Sequence, residues 1–70
     1  MTWIITRKNE SGTQLYMDRN KTDGSGEFRN CDDPGMLPLQ FGYRFNALHR
    51  MYIAQAEEPD WEYEVSEYLR

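Results

Sequence analysis

The spacing of apolar residues changes period along this chain, and the changes mark out its elements. Residues 2–7, TWIITR, are rich in β-branched and aromatic types and predict a strand. Asn9-Glu10-Ser11-Gly12 follows as a turn signal, with Gly12 free to take a positive φ. Residues 13–17, TQLYM, predict a second strand returning antiparallel to the first. Residues 18–35 are polar, with Phe28 and Cys31 as the apolar exceptions, and predict a long loop that Phe28 pins at its middle. Residues 37–41, LPLQF, predict a short edge strand or an extended lead-in, because Pro38 cannot donate to a ladder. From 44 to 57, RFNALHRMYIAQAE, the period becomes helical. Phe45, Leu48, Tyr52 and Ala56 form the leading stripe, with Ala47, Met51 and Ala54 alongside. Asn46 is a candidate cap if the helix starts a turn later, and Pro59 ends it.

Residues 61–69 return to period two. Trp61, Tyr63, Val65 and Leu69 fall on one face; Glu62, Glu64, Ser66 and Tyr68 fall on the other. Glu67 interrupts the apolar face. The segment predicts a half-buried strand, rings inward and carboxylates outward. The order is strand, strand, loop, possible strand, helix, strand. Its natural product is an α+β fold, ββ(β)αβ, in which an antiparallel sheet of three or four strands carries one helix on one face. Seventy residues make a single domain, with a mobile loop expected at about 18–36.

Composition narrows the class. Hydrophobic residues are 39% of the chain and aromatics 14%, so rings supply much of a core that no intramolecular disulfide can brace, since Cys31 is the one cysteine. A reduced, cytosolic setting is expected. No apolar run reaches the roughly 20 residues of a membrane span. The net charge of −4 is unevenly spread. Residues 57–70 hold Glu57, Glu58, Asp60, Glu62, Glu64 and Glu67 against Arg70, while the rest is near neutral. Binding nucleic acid by bulk electrostatics is disfavoured, and a basic partner is favoured.

Catalytic and metal signals are weak. Asp18-Arg19-Asn20-Lys21-Thr22-Asp23-Gly24 has oxygens at alternate positions, as a calcium loop does. Thr22 and Asp23 fill its third-acid and glycine places, however, and Arg29 stands where a bidentate Glu belongs. Cys31 and His49 give two of the four N or S ligands of structural zinc. Asp32 and Asp33 beside Cys31 disfavour its thiolate. His49 has no nucleophile marked beside it and reads as a surface residue. Gly24-Ser25-Gly26 lacks the Lys-Ser/Thr of a phosphate loop. No enzyme, cofactor or metal site is implied.

Two surfaces remain. Glu57, Glu58, Asp60, Glu62, Glu64 and Glu67, with Tyr68 as a contact anchor, form the candidate protein-binding set. Arg7, Lys8, Arg19, Lys21 and Arg29 form an alternative basic edge for nucleic acid.

The layout MTWIITR, Gly turn, TQLYM, variable loop, NALHRMYIAQ helix and closing WEYEV resembles small accessory proteins encoded by bacteriophages and prophages. The resemblance covers the whole chain through length and order and carries over no functional residues. It implies an inhibitor of host defence, anti-CRISPR-like or a nucleic-acid mimic, that occludes a basic surface of a larger host protein. A small nucleic-acid-binding regulator and a homodimeric assembly protein are the alternatives.

Overall fold

The computed structural model describes residues 1–18, 26–30 and 38–68, with the Asp18 side chain left out. Strand β1 spans Thr2–Asn9 and β2 spans Gly12–Asp18. Strand β3 spans Gly26–Asn30, helix α1 Arg44–Glu57 and β4 Glu62–Tyr68. The four strands form one antiparallel sheet in the order β3-β2-β1-β4, with α1 on one face. This is the expected α+β architecture.

The β1–β2 turn is closed by Asn9 Oδ1, which accepts from the Ser11 N–H at 2.7 Å, and by Gly12 at φ 132°. A Cβ there would be strained, so glycine is the residue that fits. Register then decides burial. Ile5 lies opposite Val65 and Arg7 opposite Tyr63 on β4. On β2 and β3, Tyr16 lies opposite Phe28. Trp3, Ile5, Arg7, Tyr16, Phe28, Tyr63 and Val65 therefore share the helix side, because side chains alternate across a pleated strand. Ile5 and Tyr16 are buried with Ala47 of the helix, and Trp3, Phe28, Leu39, Phe41, Met51 and Val65 pack around them.

Three expectations need correction. Within the expected loop, Gly26–Asn30 is a strand; the remainder, 19–25 and 31–35, lies outside the described residues. Only one of its inward positions, Phe28, is apolar, because β3 is an edge strand and Gly26 sits too close to β2 to carry a side chain. A Cβ on Gly26 would stand 2.7 Å from the Met17 carbonyl oxygen.

The segment around Pro38 is not an edge. Trp3 pairs with Glu67 on one side and Phe41 on the other. Met17 pairs with Glu27 on one side and Pro38 on the other. Residues 38–41 thus occupy the gap where the paired hairpin, which runs from Thr6↔Leu15 to Asn9↔Gly12, opens towards the ends of its two strands. The Trp3 N–H donates to the Phe41 carbonyl at 2.9 Å and the Phe41 N–H to the Trp3 carbonyl at 2.8 Å; the Leu39 N–H donates to the Tyr16 carbonyl at 2.9 Å. Pro38 is tolerated because the donor facing β2 belongs to Leu39.

The helix has the expected bounds but shows another face to the sheet. Ala47 is fully buried, with Leu48, Met51 and Ala54 half-buried, whereas Phe45, Tyr52 and Ala56 are exposed. The small Ala47 lets the backbone approach closely, and a large residue there would hold it off. Tyr43 occupies the N-cap position without a side-chain cap, so Asn46 is not the cap. No helix among the described residues is long and apolar enough to cross a membrane.

Candidate functional site

The sequence places Arg7 on the same parity as Trp3 and Ile5, and the fold puts it inside. It is 7% exposed. Its guanidinium carbon lies 4.1 Å from the ring centroids of both Phe28 and Trp61, a cation held between two π faces. Nε donates to Gln14 Oε1 at 2.9 Å and Nη1 to Glu58 Oε2 at 2.8 Å, with Tyr63 Oη at 3.5 Å. The Tyr63 hydroxyl is at 2.7 Å from the Glu58 carbonyl and 3.2 Å from that of Ala54, tying β4 to the helix end. Arg7 is therefore a structural residue. Its placement on an exposed basic edge is corrected, because a planar cation with an aliphatic stem is well suited to stacking between rings.

Of the other basic candidates, Arg19 and Lys21 lie outside the described residues. Lys8 is exposed on the open face with its Nζ 3.8 Å from Glu62. Arg29 is on the open face of β3, paired with Glu27 at 3.1 Å. Arg7 is thus withdrawn from this set, while Lys8 and Arg29 share the open face, each beside a glutamate.

The acidic candidates divide. Glu58 is the C-cap residue and is engaged by Arg7. Glu67 lies opposite Trp3 on the helix side and is half-buried. Neither joins the outward row that the sequence predicts. Alternation accounts for Glu67, and the return of the chain over β1 accounts for Glu58. Glu57, Asp60, Glu62 and Glu64 are exposed. Glu62 and Glu64 stand on the open face opposite Lys8 and Thr6, and Tyr68, opposite Thr2 on that face, is half-buried.

One acid was missed by sequence reasoning. Glu10, in the β1–β2 turn, rims a shallow depression of about 450 Å³ with Asp60, Glu62, Lys8 and Asn9. The Lys8↔Glu62 pairing brings the hairpin turn and the α1–β4 turn together, so carboxylates far apart in sequence gather at one end of the molecule. A turn residue's sign could have been added to the acidic set once the two strands were aligned.

A cleft of about 290 Å³ lies between the helix and the β2–β3 half of the sheet, floored by Tyr16, Gly26 and Phe28. Its two guanidiniums are already held, Arg7 as above and Arg50 by Nε donating to the Tyr16 hydroxyl at 2.7 Å. Glu27, Glu57 and Glu58 also line it, beside the apolar Phe28, Ile53 and Ala54. His49 is exposed on the helix.

A second missed feature is the outer side of α1. Tyr43, Phe45 and Tyr52 are 65%, 67% and 60% exposed, and the Tyr43 and Phe45 rings stack at 5.6 Å. Phe45 and Tyr52 belong to the stripe that leads the helical period, and the fold turns both outward.

No protein-family model, no curated protein and no solved structure matches this chain.

Proposed function

We propose that the chain is a non-enzymatic binding protein whose acidic end covers a basic, nucleic-acid-handling surface of a larger protein. Its layout resembles phage-encoded inhibitors of host defence, which implies action in the cytoplasm of a bacterial host. One observation carries the reading. Glu10, Asp60 and Glu62 rim a single depression, with exposed Glu57 and Glu64 flanking it in sequence and Lys8 as the cation on the rim. Such a surface raises the on-rate for a positively charged partner and repels nucleic acid. The carboxylates are exposed, so their attraction is screened over about 8–10 Å at physiological salt.

The test is capture of partners from bacterial lysate by the immobilised chain at low and at high salt, beside an Asp60→Lys/Glu62→Lys/Glu64→Lys variant. A basic protein retained by the wild type at low salt, and lost with either change, supports the reading. Equal retention by wild type and variant overturns it.

A further inference from the structure

We infer that β4 is a docking edge, to which an extended basic segment of the partner adds antiparallel as a further strand of the sheet. The inference rests on the acidic reading above for the sign of the partner's charge, and on the backbone for its shape.

The hydrogen bonds assign the two sides of β4. Trp3 donates its N–H to the Phe41 carbonyl, and its own carbonyl accepts from the Phe41 N–H. Both groups point away from β4, so Trp3↔Glu67 is a non-hydrogen-bonded pair. The N–H and C=O of Glu67 therefore point outward, away from β1. Alternation turns those of Val65 and Tyr63 outward as well. The strand order ends at β4, and among the described residues no other backbone group bonds to these three. Natural sheets blunt an exposed edge with lysine, proline or a bulge. Strand β4 contains neither residue, and its register runs unbroken from Thr2↔Tyr68 to Lys8↔Glu62. The other edge, β3, is shorter, and its Glu27 and Arg29 pair with each other.

Charge selects what can lie along this edge. A second β4 sets Glu62, Glu64 and Glu67 of two copies side by side, with no basic residue in the strand to offset them. A basic strand reverses that repulsion. Glu62 and Glu64 stand on the open face, and Glu64 has no ion pair among the described residues. On the helix side, half-buried Tyr63 and Val65 offer apolar neighbours to a strand laid beside them. The fitting segment thus alternates, with Lys or Arg towards the open side and apolar residues towards the helix. Laid along β4, it reaches Glu62, on the rim of the acidic depression. Main-chain bonds give such an addition its affinity, and alternate side chains give it specificity.

The probe is an acetylated, amidated peptide, Lys-Val-Lys-Val-Lys-Val-Lys, titrated into the isotopically labelled full chain by nuclear magnetic resonance. At about ten times its dissociation constant, the peptide is expected to slow amide exchange about tenfold at Tyr63, Val65 and Glu67. Exchange at Glu62, Glu64 and Ser66, already bonded to β1, is expected to change less. In an antiparallel addition the Val amides donate to β4. N-methylation of the Val amides is expected to raise the dissociation constant about tenfold or more, while N-methylation of the Lys amides leaves it within about threefold. Glu67→Pro removes an outward N–H that β1 does not use. It is expected to weaken binding about tenfold relative to Glu67→Gln, which loses the same charge. Equal binding of the two methylated peptides, or the reverse order, overturns the inference even if Glu67→Pro does not fold. Salt-dependent capture of a basic partner with no added protection at Tyr63, Val65 and Glu67 also overturns it, and leaves the acidic reading standing.

Discussion

Arg7 shows how one residue can carry a charge into a small core. Its guanidinium is stacked on two rings and hydrogen-bonded to Gln14 and Glu58. Arg7→Ala is expected to cost about 3 kcal/mol in urea unfolding, since it empties the space between Phe28 and Trp61 and unties β1 from the helix end. Glu58→Gln removes only the half-exposed partner and is expected to cost about 1 kcal/mol or less. Equal costs for the two would mean that the ring sandwich contributes nothing. Gly26→Ala is expected to lose about 1–2 kcal/mol in the same measurement, because the new Cβ meets the Met17 backbone oxygen at 2.7 Å and the Tyr16 ring at 2.8 Å. Arg7 was legible in principle. The parity that placed Trp3 and Ile5 inward also placed Arg7 inward, but its charge alone argues for the surface. Only the register, which brings rings from β3 and the α1–β4 turn to it, reverses that argument.

At the scale of elements, the two strands of the hairpin, the helix and the closing strand were readable because each has a clear period and a punctuating Gly or Pro. Strand β3 was not, since an edge strand with a single inward ring leaves almost no alternation to detect. The helix bounds were readable and its face was not. Two stripes of equal period compete, and the rings of Phe45 and Tyr52 carry more apolar area than the methyl group of Ala47. Close packing against the sheet selects the small residue instead. The uncapped start of the helix gives a further expectation. Tyr43→Asp should raise the unfolding free energy by about 0.5–1 kcal/mol, through an N-cap hydrogen bond and a favourable charge at the positive end of the dipole. Thermal or urea melts check it.

For the molecule as a whole, the asymmetry of charge is the property that the fold sharpens. Sequence order gathers the acids towards one terminus, and the β1–β4 pairing adds Glu10 to them across space. That addition could not be read from a linear pattern. The same pairing withdraws Glu67 to the helix side, and the helix-end contact with Arg7 engages Glu58. The expected consequence is steep salt dependence of partner binding. Reversing Glu62 and Glu64 should weaken it, while Glu67→Gln should change it less than either; surface plasmon resonance against the captured partner at two ionic strengths checks this. The segment 38–41 has a kinetic consequence too. It holds the sheet's middle open like a latch slid between two rails. The turn-proximal rungs can zip as a local event. The Trp3 amide is shielded only when Phe41, remote along the chain, has arrived. Deuterium uptake at Trp3 and Phe41 should then proceed in step, as one opening unit.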